Sequence, residues 1–148
     1  MTSYLETHLG YWLRFVSNHV SHAFSLKLQA RDVTVAEWVL LRELFDLADI
    51  QPSTLADRLG MTRGAISKLA DRLIAKELIA RTASTEDRRQ QTLSLTDAGR
   101  TLVPKLAELA DRNDAEFFGH LEPAERAALE NALKEIVRRH DLKTIPTE

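Results

Sequence analysis

The sequence predicts a mainly α fold with a small β-wing, a winged helix-turn-helix flanked by N- and C-terminal dimerisation helices. Three observations carry that expectation. Residues 52–99, PSTLADRLGMTRGAISKLADRLIAKELIARTASTEDRRQQTLSLTDAG, hold two short helical patterns followed by two strand-like runs. The first thirty residues are apolar along two helical faces at once, and basic charge is gathered in the middle of the chain. At 148 residues the chain suits a single domain, 1–148, with the winged helix-turn-helix at about 34–99 and the dimerisation helices at about 4–30 and 100–141.

Residues 4–30 read as one long helix with no Pro and a single glycine, Gly10. Leu9, Leu13, Val16, Val20 and Phe24 form one stripe; His8, Trp12, Phe15, His19 and His22 form another, both close to the helical period. A helix apolar on two faces must bury both, and a partner subunit is the economical cover for the second. Residues 31–33 break the helix. Thr34 then caps the next one, with Glu37 completing a capping box and Trp38, Leu41, Leu44 and Phe45 forming the apolar stripe. Residues 49–52 form a turn, from which Ile50 and Gln51 are placed to add a brief third strand beside the wing.

Ser53 is expected to cap a short helix with Leu55, Ala56 and Leu59 inward, and Gly60 to end it. Thr62 caps a second helix whose buried stripe is Ile66, Leu69, Leu73 and Ile74. Two short helices joined by a Gly-containing turn are the helix-turn-helix pattern, in which the second helix can enter a major groove. Ile79–Ala83 and residues 92–95 read as strands separated by the polar segment 84–91, which makes a wing. Thr96 caps the next helix, with Asp97 at its positive end. That helix continues to about Phe118, with Leu102, Leu106, Leu109, Phe117 and Phe118 inward. Pro104 should kink it or sit where a missing N–H matters less. Glu122 and Pro123 open a last helix, whose stripe is Leu129, Leu133, Ile136 and Val137; the tail from Leu142 should fray.

A net charge of −2 looks unfavourable for a nucleic-acid partner until it is divided along the chain. Residues 1–57 carry −3, residues 58–100 carry +4 and residues 101–148 carry −3. The positive balance therefore falls on the module expected to meet phosphate. On the second helix, Arg63, Gly64, Ala65, Ser67, Lys68 and Arg72 point away from the apolar stripe. Gly64 and Ala65 let backbone approach base edges, and an alanine methyl can meet a thymine methyl. Arg63 is the candidate for guanine readout, and Lys68 and Arg72 for phosphate contact, with hydroxyls of Thr62 and Ser67 assisting. For Arg72, an ion pair with Asp71 or Glu77 is the competing role. Arg88 and Arg89 sit at or near the wing tip, where extended arginines suit a narrow minor groove. Two recognition helices related by a dimer axis imply double-stranded DNA carrying a near-palindromic operator.

The runs LADRLGMTRGAISKLADRL, LIAR, DRR at 87–89 and LSLTDAG at 93–99 together resemble the MarR family of bacterial transcriptional regulators. The resemblance extends to LGYWLR at 9–14, TVAEWVLLREL at 34–44 and LEPAERAALENALKEI at 121–136, nearly the whole chain. Many members have Gly where Glu77 stands, at the end of the recognition helix. The resemblance implies a triangular homodimer with DNA-binding lobes at two corners, acting most often as a repressor, and an Asp87 that orders the wing through an ion pair. It also implies an effector, commonly an aromatic or phenolic acid, held between dimerisation helices and DNA lobe. Trp12, Phe15, His19, Trp38 and Arg42 offer aromatic walls and a cation for such a ligand, while plain packing is the alternative role of each.

The same residues bear on other classes of protein. A winged helix can contact protein instead of DNA, as an interaction module with no small-molecule effector. No nucleophile–base pair or phosphate-cradling glycine loop is patterned, so no enzyme and no cofactor are expected. His8, His19 and His22 lie near one another on a helix without a patterned carboxylate or cysteine, so no metal is expected. The chain has no cysteine, which excludes disulfides and thiol switching. No apolar run approaches the roughly 18–20 residues that cross a membrane, nor does the N-terminus read as a signal, so a cytoplasmic location is expected.

Overall fold

The computed structural model describes residues 1–83 and 90–143. A short 3-10 turn, Leu5–Thr7, precedes α1 (Leu9–Gln29), α2 (Val35–Phe45), α3 (Pro52–Leu59) and α4 (Arg63–Ala75). The strands β1 (Ile79–Ala83) and β2 (Gln91–Leu95) follow, then α5 (Asp97–Phe118) and α6 (Pro123–Arg139). The fold is the expected mainly α winged helix.

The single helix expected over 4–30 is broken at its start. His8 is extended, with φ −97° and ψ 123°, and separates the 3-10 turn from α1. The Trp12 indole N–H donates to the Glu6 carbonyl at 2.9 Å and holds the turn back against the helix. Apolar spacing keeps its period across His8, so periodicity alone could not register the break.

α2 starts as its sequence dictates. The Glu37 N–H donates to Thr34 Oγ1 at 3.1 Å, and the Thr34 N–H to Glu37 Oε1 at 2.8 Å. Leu40, Leu41 and Leu44 are fully buried, each contributing about 1.5–3 kcal/mol of transfer free energy. In α3 the expected cap is corrected: Gln51 is the N-cap, Pro52 occupies the first helical position and Ser53 lies within the first turn. Proline's fixed φ and missing N–H cost nothing at that position, which outweighs the capping preference of serine. Gly60 ends α3 at φ 64°, the left-handed geometry glycine adopts without strain.

The wing is an antiparallel pair running from Ile79↔Leu95 to Ala83↔Gln91, so β2 begins one residue earlier than expected. Ile50 adds the foreseen third bridge, exchanging backbone hydrogen bonds with Leu93 at 3.2 and 2.8 Å. Thr96 caps α5 by accepting from the Gly99 N–H at 3.1 Å. A side chain at position 99 would collide with the Leu78 carbonyl oxygen, so glycine lets α5 begin hard against the turn that leaves α4. Pro104 lies in the helix interior, beyond the first turn, and α5 continues through it to Phe118.

One core gathers these elements. Phe24 and Leu28 from α1 and Val103 and Leu106 from α5 join the buried residues of α2, α3, α4 and the strands. Leu102 and Leu109 pack against it, whereas Phe117 and Phe118 are only half-buried. Asn113 is buried and ties α5 to α1: its amide donates to the Val20 carbonyl at 3.1 Å and accepts from Lys27 Nζ at 2.9 Å. α6 buries none of its residues and is joined to α5 by a two-pronged Arg126–Asp114 pair, at 2.8 and 3.2 Å. No helix among the described residues is long and apolar enough to cross a membrane.

Candidate nucleic-acid interface

The recognition helix is α4. Thr62 Oγ1 accepts from the Ala65 N–H at 3.1 Å, so the hydroxyl oxygen is the cap and its O–H is left to donate outward. Ile66, Leu69, Ala70 and Leu73 are buried, which anchors one face and turns the opposite one to solvent. Arg63, Gly64, Ser67, Lys68 and Arg72 are exposed and Ala65 is half-buried. A Cβ built on Gly64 meets nothing within 4 Å, so no packing inside the chain calls for glycine there.

Charge on this face is unspent among the described residues. Asp71, one of the expected partners of Arg72, is instead 3.1 Å from Arg81 on β1. Among the described residues, Arg63, Lys68 and Arg72 make no ion pair, whereas Arg58 is held 2.7 Å from Glu43. Arg63 lines a hollow of about 350 Å³ together with Gln51, Ser53 and Gln91. The starts of α3, α4 and β2 therefore converge on one surface. Arg88, Arg89 and Asp87 lie outside the described residues.

The far end of α4 is built by contacts that sequence reasoning missed. Lys76 is the C-cap, and Glu77 follows at φ 62°, left-handed without being glycine. The Glu77 N–H donates to the Ile74 carbonyl at 2.9 Å and the Leu78 N–H to the Leu73 carbonyl at 3.0 Å, a Schellman closure. The Lys76 ammonium reaches back to Glu37 Oε1 at 3.1 Å and to the Asp32 carbonyl at 2.6 Å. Glu37 is 0% exposed. Burial pushes its carboxyl up, but the Thr34 N–H and the Lys76 ammonium more than offset this, and the group sits below its ordinary value. Glu37 was foreseen as a cap; its burial against a lysine 39 positions away was not.

The five residues expected to hold an effector are not brought into one cavity among the described residues. Phe15 and His19 stack at 5.0 Å on the outer face of α1, where Trp12 and Phe15 are 47% and 49% exposed. Trp38 packs edge-on against Phe24 at 6.1 Å, half-buried against the core. Arg42 is paired with Asp46 at 2.8 Å and lies over the Phe45 ring at 5.6 Å. Only Trp12 of the five lines the apolar groove, about 770 Å³, that runs between α1, the end of α5 and α6 past Leu13, Val16, Phe118 and Leu133.

An exposed, cation-bearing helix with a capped start and an adjoining two-stranded wing defines the winged-helix class of protein. The comparisons narrow the class. The MarR family model matches residues 33–90. A putative transcriptional regulatory protein for the hcr operon of Thauera aromatica is 30% identical over 116 residues, 74% of this chain and 70% of that protein. The repressor MdtR of Bacillus subtilis is 40% identical over 72 residues, 49% of this chain, and the match spans only 46% of its own length. The solved structure of BpsR from Bordetella bronchiseptica, whose DNA binding is regulated by 6-hydroxynicotinic acid, superposes with a TM-score of 0.84 at 25% identity, covering 92% of this chain and 97% of BpsR. The chain belongs to the MarR family.

Proposed function

We propose that this chain is a homodimeric, sequence-specific transcription regulator, acting as a repressor whose grip on a near-palindromic operator is changed by a small aromatic acid. The observation that carries the DNA reading is the outward face of α4. Among the described residues its cations are unpaired, and nothing packs where Gly64 would carry a side chain. In this reading residues 34–99 form the DNA lobe, while 4–30 and 100–141 supply the dimer. Leu9, Leu13 and Val16 on α1 and Leu129, Leu133, Ile136 and Val137 on α6 are all at least 40% exposed in the single chain, and a second copy would cover them. Such a dimer would bring two recognition helices to one duplex. The family's named relatives are regulators, and the regulation of BpsR by a hydroxylated aromatic acid supports the effector class. Because Asp46 already neutralises Arg42, a ligand carboxylate would have to displace it.

The test is selection of operators from a random duplex library, followed by binding measurements across salt. Two half-sites about 10–10.5 bp apart are expected, with Arg63→Ala losing about 1–3 kcal/mol of discrimination between operator and mutated site. A single asymmetric half-site bound by one subunit would overturn the two-lobed reading, and a lack of salt dependence would point to a protein partner instead.

A further inference from the structure

We propose that Lys76 is a positioning residue for DNA recognition, setting the angle of the recognition helix from its far end without touching DNA. The inference rests on the DNA-binding reading above. Lys76 closes α4 at the opposite end from Arg63, and its side chain is 29% exposed with the ammonium turned inward. Glu37 Oε1, at 3.1 Å, and the Asp32 carbonyl, at 2.6 Å, both hold it, and the Asp32 carboxylate stands 3.9 Å away. Among the described residues, Glu37 Oε2 has no hydrogen-bond partner, so the anchoring of this buried carboxylate falls on the oxygen shared by Lys76 and the Thr34 N–H. A buried charge without its counter-ion is strongly unfavourable, which makes the pairing an anchor rather than an incidental surface contact.

The backbone around this anchor is held in costly conformations. Asp32 and Glu77, on the two segments that Lys76 joins, have φ of 55° and 62°. Left-handed geometry outside glycine persists where surrounding contacts over-determine it. A third segment fastens the same turn: the Thr96 hydroxyl donates to the Glu77 carbonyl at 2.7 Å and the Thr96 N–H to the Leu78 carbonyl at 3.1 Å. The ends of α1 and α4 and the starts of α2 and α5 therefore meet at residues 76–78. From this pivot α4 extends through its 13 residues. At 1.5 Å per residue, a 10° tilt about Lys76 would carry the Arg63 end by about 3 Å, a whole hydrogen-bond length.

Salt dependence separates positioning from contact. Each phosphate-bound cation adds about one unit to the slope of log affinity against log salt. Binding to the selected operator and to random duplex is to be titrated for the wild-type chain, Lys76→Met, Lys76→Arg, the double variant Glu37→Gln with Lys76→Met, and Lys68→Met. The double variant leaves no unpaired buried charge and keeps the test open if Lys76→Met alone fails to fold. Both Lys76→Met proteins are expected to lose about tenfold in operator affinity, the worth of one misaligned base contact, with unchanged slope and unchanged affinity for random duplex. Lys76→Arg should recover most of that loss. Lys68→Met should flatten the slope by about one unit on both duplexes. A slope flattened by about one in Lys76→Met would make Lys76 a phosphate contact, and a folded double variant binding the operator within about twofold of wild type would remove its role; either overturns the proposal. If the wild type binds no duplex at all, the DNA reading itself fails and takes this inference with it.

Discussion

The winged-helix lobe and the α1–α6 arms carry similar apolar stripes and treat them in opposite ways. In the lobe, Leu41, Leu44, Ile66 and Leu73 are sealed off completely. On the arms, Leu9 is 78% exposed and Leu129, Leu133, Ile136 and Val137 remain in solvent along a helix that buries nothing. Contiguous exposed apolar surface on this scale marks an interaction site. The contrast teaches that helical periodicity reports that a face is to be covered, and not by what. α1 contains both cases: Phe24 and Leu28 at its C-terminal end complete the lobe's core, while its N-terminal half faces the groove.

Charging the arms should give the largest effect. Leu129→Asp combined with Leu133→Asp is expected to yield a 16.7 kDa monomer in sedimentation with the helical circular dichroism of the lobe retained. Operator affinity should then fall by about a thousandfold, roughly 4 kcal/mol, because two linked recognition helices become one. Retention of a dimer would show that the stripe of α6 is not what a second copy covers. Cutting into the lobe instead should cost stability. Leu41→Ala is expected to lower the free energy of unfolding by about 3 kcal/mol, read by denaturant titration, since the closed core can only partly collapse around the cavity. A loss as small as that of an exposed arm leucine would erase the distinction between the two regions. The smallest effect belongs to the turn after α4. Glu77→Gly should raise stability by about 0.5–1 kcal/mol, as relief of left-handed strain outweighs the added freedom of the unfolded chain. Destabilisation in the same titration would mean that the glutamate side chain contributes a contact of its own.

Legibility followed the range of the interaction. Thr34, Thr62 and Thr96 were readable as caps because each acts on a backbone N–H three residues away. Gly60 was visible as well, from its residue type, whereas the left-handed geometry at Glu77 came only with the structure, since a glutamate does not announce it. Where two local preferences competed, as at Pro52 and Ser53, the rigid one prevailed over the hydrogen-bonding one. The residues expected to hold an effector show the opposite limit. Trp12, Phe15 and His19 share a helix face and do lie together, but Trp38 and Arg42 stand across a turn whose geometry sequence does not supply. They went to Phe24 and to Asp46.

By itself, the sequence determined the order and kinds of the elements, the outward face of the recognition helix and the need to cover the arms. Each of these follows from period, caps and turn residues, which act within a few positions of the chain. Only the tertiary structure decided how the recognition helix is held. The Glu37–Lys76 pair spans 39 positions, the Asn113 link to Val20 spans 93, and Asp71 was claimed by Arg81 across the turn rather than by its neighbour. Such pairs depend on which surfaces meet when the helices pack, and a charged or amide side chain carries no periodic signal that would announce its partner.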